Sequence, residues 1–177
     1  MVSGIVLAAG AGTRLGRPKA DLVIAGERLI DRAVREMREG GCAEVVAVVR
    51  AGTDAGAAVG VVNPDPDRGM GSSLRLGLAA ASGDRAVLVL VDTPGIGAAE
   101  VRRVLAVDAP FVIARYGARR SHPVVIDRPL WAEVAALAEG DEGARPFMRA
   151  HPDLVTEVMC DGDPSDIDTP DDLARWS

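Results

Sequence analysis

Short apolar runs alternate with amphipathic stretches along the whole chain. Residues 4–9 (GIVLAA) form an uninterrupted apolar run that passes into glycine-rich sequence, which predicts a strand buried on both faces. From Arg28 to Glu39 the pattern changes. Leu29, Ile30, Ala33, Val34 and Met37 share one face and charges hold the other, as in an amphipathic helix, and Gly40-Gly41 ends it. Strands are predicted at 44–49 and 60–63. The spacing of Leu74, Leu78 and Ala81 predicts a helix over 72–81, and the strongest strand, apolar throughout, runs over 86–91 and stops at Asp92. Helices over 98–106 and 130–138 then alternate with strands at 111–114, 124–126 and 154–159. A closing helix at 170–176 has Thr169 as its cap and Pro170 at its first position. This alternation predicts an α/β fold with three layers and a mostly parallel sheet, in one domain spanning 1–177. Ligands in such sheets sit beyond the carboxyl ends of strands, which singles out the loop after Ala9 and Asp92.

Charge and cysteine usage narrow the partners. A net charge of −6 matches neither nucleic acid nor an anionic membrane, although a mononucleotide needs only local positive charge. Cys42 and Cys160 have no metal-type spacing and read as buried, reduced thiols, which points to the cytoplasm. No secretory segment or bilayer-length apolar run is visible. The oligomeric state is expected to be a monomer or a small homo-oligomer. Trp131, Trp176 and the methionines are read as packing residues and His151 as a surface residue.

The loop Gly10-Ala-Gly12-Thr-Arg14-Leu-Gly16-Arg17-Pro18-Lys19 brings three cations into six residues of an acidic chain. Glycine lets backbone N–H groups approach phosphate oxygens, and Arg and Lys neutralise the roughly four charges of a triphosphate. Lys19 lies between Pro18 and Ala20, so the loop is not a P-loop. Its glycine spacing is one residue longer than the dinucleotide fingerprint, and Pro18 interrupts the helix that fingerprint needs.

LAAGAGTRLGRPK closely resembles the signature of the MobA-like and sugar-nucleotide NTP transferases, L-A-x-G-x-G-x-R-[ML]-G-x-x-K, at every fixed position. The resemblance continues in family order through NPDPDRGMGSSLRLGL, VLVLVDTPGI, HPVVI, GDEGAR and DIDTPDDL, and is strongest toward the molybdenum cofactor cytidylyltransferase-like branch. It implies a sheet of about seven strands with one antiparallel strand, a Rossmann-like fold of the nucleotide-diphospho-sugar transferase kind. It also implies that Gly10, Gly12, Arg14 and Lys19 hold the triphosphate, that Asp92 and Asp168 hold Mg²⁺, and that Arg14, Lys19 and Asp92 carry catalysis. Leu7, Ala8 and Ala9 would lie along the base, where LAAG favours CTP over GTP. Asn63, Gly71, Ser72 and Ser73 complete the nucleotide site; either serine is equally read as the cap of the following helix.

His122, Arg119 and Arg145 are acceptor candidates by the same resemblance, with Arg120 beside them. The family often has glycine before His-Pro, and Ser121 takes that place here. The implied reaction moves NMP from an NTP to a phosphorylated small molecule such as the molybdopterin cofactor, with delivery to a molybdoenzyme. Three alternatives stand: transfer to a sugar phosphate; NAD(P)H-dependent dye reduction of the nicotine blue oxidoreductase kind, which needs neither Mg²⁺ nor Asp168; and a non-catalytic nucleotide-binding regulator, against which the presence of both Asp92 and Asp168 argues.

Overall fold

A computed structural model describes residues 1–177. Strand β1 (Val2–Ala8) leads through two 3₁₀ turns, Thr13–Leu15 and Lys19–Asp21, to a small hairpin of β2 (Val23–Ile24) and β3 (Glu27–Arg28). There follow α1 (Leu29–Glu39), β4 (Glu44–Val49), β5 (Val59–Val62), α2 (Met70–Ala80), β6 (Arg85–Leu90) and α3 (Ala98–Leu105). The second half adds β7 (Phe111–Tyr116), β8 (Arg119–Asp127), α4 (Trp131–Leu137), α5 (Arg145–Ala150), β9 (Val155–Met159) and α6 (Pro170–Trp176).

Seven strands form one sheet in the order β5-β4-β1-β6-β8-β7-β9. Only β8 is reversed, antiparallel to both β6 and β7, while the other pairings are parallel. Apolar residues cover both faces, which is why the central strands read as continuous apolar runs. Along β1, Val6 and Ala8 join the cluster under α1 and α3, and Ile5 and Leu7 join the opposite cluster under α2 and α4. The chain turns from β1 to β4 on one side and reaches β6 on the other, so the crevice opens at the carboxyl ends of β1 and β6.

The predicted fold class is the observed one, and three elements differ from expectation. Strand β8 begins at Arg119, not Val124, because its first half is polar and lines an open pocket where no apolar alternation is required. The β2–β3 hairpin has two residues per strand, too few to show a period. Helix α5 is six residues long with Pro146 in its first turn and has no repeat of its own to read. Trp131 and Trp176 pack as expected, the Trp131 indole donating to the Ile126 carbonyl at 2.9 Å. The methionines divide: Met37 is core, Met1 and Met159 are exposed, and Met70 lines a cavity. His151 is half-buried, not a free surface residue; its ring lies 4.7 Å from that of Phe147 and its Nε2 is 2.6 Å from Glu133. No helix is long and apolar enough to cross a membrane.

After β9 the chain returns to the sheet. Ile167 is fully buried there, and its N–H donates to the Asp92 carbonyl at 2.8 Å, so the C-terminal segment is docked on the end of β6. Ile167→Ala is expected to lower unfolding free energy by about 2–4 kcal/mol through cavity formation. Urea denaturation followed by circular dichroism measures it, and a change under about 0.5 kcal/mol would mean that this docking is not part of the core.

Candidate active site

Strand β1 carries the buried Leu7, Ala8 and Ala9 to the sheet's open edge. Beyond Gly10 the chain folds on itself. Gly12 is left-handed (φ 61°), and a Cβ there would lie 2.0 Å from the Arg17 carbonyl oxygen, so the position accepts only glycine. The loop closes through Leu15 N–H to Gly12 O (2.9 Å) and Lys19 N–H to Gly10 O (3.4 Å). Pro18 then admits the 3₁₀ turn that brings Lys19 back to the loop's base. That turn is anchored from below. Arg28 pairs with Asp21 at 3.2 Å and with Asp31 at 2.8 Å, and the Leu29 N–H reaches Leu22 O at 2.8 Å.

Asp92 follows β6. Its loop is fixed by Arg32, whose Nε and Nη2 both donate to the Pro94 carbonyl, at 3.2 and 3.1 Å. Docking of Ile167 puts Asp168 next to Asp92. The backbone N–H groups of Asp168 and Thr169 are held by the Asp172 carboxylate at 3.0 and 2.9 Å, and Thr169 caps α6 as predicted. Lys19 joins the two carboxylates: its Nζ is 2.7 Å from Asp92 Oδ2 and 3.3 Å from Asp168 Oδ1, while Arg14 bonds the other Asp168 oxygen. Residues separated by about 150 positions therefore meet at one ammonium.

The pair is shielded, with the Lys19 and Asp92 side chains 15% and 14% exposed, whereas Asp168 is at the rim with 42%. Burial pushes the Asp92 carboxyl above the usual carboxylate range and the Lys19 charge only partly offsets it. Burial also works against the Lys19 ammonium, but Asp92 and Asp168 outweigh it and hold Lys19 above its ordinary value. Two convergent carboxylates without histidine or cysteine suit a hard divalent cation that keeps phosphate and water as its other ligands. The fit of Asp92 and Asp168 to such an ion rests on this donor chemistry.

A cleft of about 260 Å³ joins Gly10, Lys19 and Asp92 to Gly69, Met70 and Ser73. On this side two expectations change. Neither serine caps α2; Gly69 does, and Ser72, inside the first turn, gives its hydroxyl to the Gly69 carbonyl at 2.8 Å. Asn63 is 2% exposed and its amide is engaged within the protein, donating to Ser72 and Ser73 at 2.9 and 3.0 Å and accepting from Asp65 N–H at 2.9 Å. It braces the serines and has no donor left for a base. The Gly71 amide is likewise taken, by Gly140 O at 2.8 Å. Of these four residues, Ser73 lines the cleft.

A second cavity of about 510 Å³ adjoins the first and contains all three acceptor candidates, Arg119, His122 and Arg145, along with Arg120 and Ser121. Arg120 is paired to Glu157, whereas Arg119 and Arg145 have no carboxylate partner. Burial, with the Arg145 charge nearby, pushes the His122 imidazole down to about 4, so it is neutral at pH 7. Sequence reasoning missed Arg50 and Asp141. Arg50 donates to the Ala9 carbonyl at 3.0 Å; its place right after β4, next to β1's end, is the signal that was available. Asp141 lines both cavities, and nothing in its spacing points to that.

Comparison with known proteins agrees with this fold. Residues 4–155 match the family model of the MobA-like NTP transferase domain. The chain belongs to the MobA-like NTP transferase family, the nucleotidyltransferase superfamily of enzymes. It is 42% identical to nicotine blue oxidoreductase of Paenarthrobacter nicotinovorans, over 98% of this chain and 95% of that protein. It is 41% identical to a probable molybdenum cofactor guanylyltransferase of Opitutus terrae, over 55% of this chain and 51% of that protein. Among solved structures, Rv0371c of Mycobacterium tuberculosis H37Rv superposes with a TM-score of 0.86 at 30% identity, covering 99% of this chain and 96% of that one. The same mycobacterial protein is also known in complex with manganese.

The unfolded chain takes up a proton at the His122 ring near pH 6.5, but the folded protein does so only near 4. Stability therefore rises with pH across this window and is lost as pH falls through it. His122→Gln is expected to flatten that part of the stability profile by on the order of 1–3 kcal/mol. Urea unfolding at pH 4.5, 5.5 and 6.5 tests this, and parallel curves for both proteins would show that the ring is not held neutral.

Proposed function

We propose that the protein transfers NMP from an NTP, with CTP favoured, to a phosphorylated small molecule such as the molybdopterin cofactor, releasing pyrophosphate with Mg²⁺ bound. The observation that carries this reading is the meeting of Lys19 with Asp92 and Asp168 beneath the glycine-rich loop. A polyphosphate needs cations and a divalent ion needs carboxylates, and both stand at the mouth of one cleft. Two buried free cysteines fit a cytoplasmic setting.

In this reaction Gly10 and Gly12 admit the phosphates close to the backbone, and Arg14 and Lys19 neutralise the leaving pyrophosphate. Asp92 and Asp168 would hold the divalent ion, which when bound supplies charge neutralisation at the α-phosphate and the leaving group. The acceptor phosphate attacks the α-phosphorus in line. The new P–O bond forms as the bond to the β-phosphate oxygen breaks, and the electron pair leaves on pyrophosphate. The acceptor is already ionised at neutral pH, so no general base is required, in keeping with a His122 that makes no side-chain hydrogen bond to a nucleophile. Catalysis rests on alignment and charge. Arg119 and Arg145 are the cations available for an acceptor phosphate in the larger cavity.

The second reading, NAD(P)H-dependent dye reduction, is favoured by the 42% identity to nicotine blue oxidoreductase. Lys19 could serve the pyrophosphate of a dinucleotide, but hydride transfer needs neither Mg²⁺ nor Asp168, and that sets it behind. Transfer to a sugar phosphate would share the nucleotide site and differ in the acceptor cavity.

A thermal-shift panel of CTP, GTP, ATP, UTP and NADPH, each with and without Mg²⁺, ranks these readings, because stabilisation follows affinity. The largest shift is expected with CTP and Mg²⁺ together. Stabilisation by NADPH alone, untouched by EDTA, would favour the reductase. Once an acceptor supports turnover, Lys19→Ala and Asp92→Ala are each expected to lower kcat by on the order of 10²–10³. Turnover near that of the parent protein in either variant rejects the assigned roles.

A further inference from the structure

Asn63 follows β5 directly and is buried between that strand and α2. Its amide settles the direction of every hydrogen bond around it. The Asp65 nitrogen lies 2.9 Å from Oδ1. A backbone N–H can only donate, so Oδ1 is the carbonyl oxygen and Nδ2 faces α2. Nδ2 is 2.9 Å from the Ser72 hydroxyl and 3.0 Å from that of Ser73. An amide nitrogen also only donates, so both hydroxyl oxygens accept. Ser72 then passes its own proton to the Gly69 carbonyl at 2.8 Å. The Ser73 proton has no such outlet, because the bond from Asn63 is the one hydrogen bond its side chain makes within the protein. Ser73 is 4% exposed and lines the cleft of about 260 Å³. A buried hydroxyl in a cleft wall, with its oxygen already serving a donor and its proton unplaced, is set to donate to a ligand.

The lining of the cleft indicates which part of a nucleotide supplies the acceptor. Lys19 is its one cation and stands against Asp92 beneath the glycine-rich loop. Phosphates belong with that cation and with the loop's backbone. The lining from α2 and the turn before it is uncharged: Pro66, Gly69, Met70 and Ser73, with the apolar Leu7 and Ala9 from the end of β1. Apolar walls with one directed donor suit a flat, uncharged ring that carries acceptors in its plane. The nucleobase is that part. A donor of fixed direction also discriminates, because it bonds a carbonyl oxygen or a bare ring nitrogen and opposes a ring N–H. We propose that Asn63 is a positioning residue that, without touching the ligand, fixes the Ser73 hydroxyl as the donor that reads an acceptor atom of the base. This rests on the nucleotidyltransferase reading and adds the polarity with which the site reads the base and the residue that sets it.

The test is calorimetric binding of CTP, GTP, ATP, UTP and inorganic tripolyphosphate, each with Mg²⁺, to the parent protein, Ser73→Ala, Asn63→Asp and the double variant. In Asn63→Asp the carboxylate accepts from both hydroxyls, so the Ser73 proton turns inward and its oxygen meets the base with the wrong polarity. For the nucleotide that binds tightest, Ser73→Ala is expected to weaken affinity by about three- to tenfold, the worth of one hydrogen bond. Asn63→Asp is expected to weaken it further, and the double variant to return to the level of Ser73→Ala, since the misdirected oxygen is then gone. Tripolyphosphate has no base, so each nucleotide affinity is taken relative to it, which cancels the effect of the new carboxylate on phosphate. If Asn63 only braces the fold, its loss persists when residue 73 is alanine, and that result overturns the proposal. A nucleotide-to-tripolyphosphate ratio in Ser73→Ala equal to the parent's also overturns it, and this comparison stands should Asn63→Asp fail to fold. A parent protein that binds tripolyphosphate but none of the four nucleotides overturns the nucleotidyltransferase reading itself, and the base contact with it.

Discussion

One ammonium group, that of Lys19, is shared by carboxylates from opposite ends of the chain, and the rest of the site is arranged around that sharing. Without a ligand, each charge compensates the others. Lys19 keeps two carboxylates from repelling each other, and Asp92 lets a half-buried lysine remain charged. A polyphosphate entering alone would compete with these carboxylates for Lys19, and a divalent ion entering alone would compete with Lys19 for them. The two together satisfy all parties, so the charge pattern favours metal and triphosphate arriving as a unit. This is an electrostatic consequence of geometry in an acidic chain.

The sheet makes the sharing feasible. With both faces covered by helices, functional groups have access to solvent only at strand ends, and β1 and β6 are neighbours whose ends open on the same side. Strand β8 runs the other way, so it brings its beginning, not its end, to that side. Arg119, Arg120, Ser121 and His122 are presented by that beginning, and the polar lining of the larger cavity follows from a single reversed strand.

How much of this was legible in the sequence depended on how local the cause was. The buried strands were readable because burial on both faces imposes apolar residues one after another. The loop's chemistry was readable because Gly12 and Lys19 act within ten residues of each other. Asp92 announced itself by ending the most apolar run. Asp168 was named only through resemblance, since its proximity to Asp92 depends on a tertiary hydrogen bond from Ile167. The serines show the limit. Polar residues opening a helix read equally as caps or ligands, and here a glycine caps α2 while Asn63 holds both hydroxyls. Asp141 was unreadable because its position is set by contacts of Gly140 and Arg149 with other elements, and such contacts leave no period in the chain.

The docking of Ile167 on the end of β6 has a consequence for how the molecule comes into being. A ribosome releases Lys19 early and the segment carrying Asp168 late, so the ammonium meets its second carboxylate only when the tail settles onto the sheet.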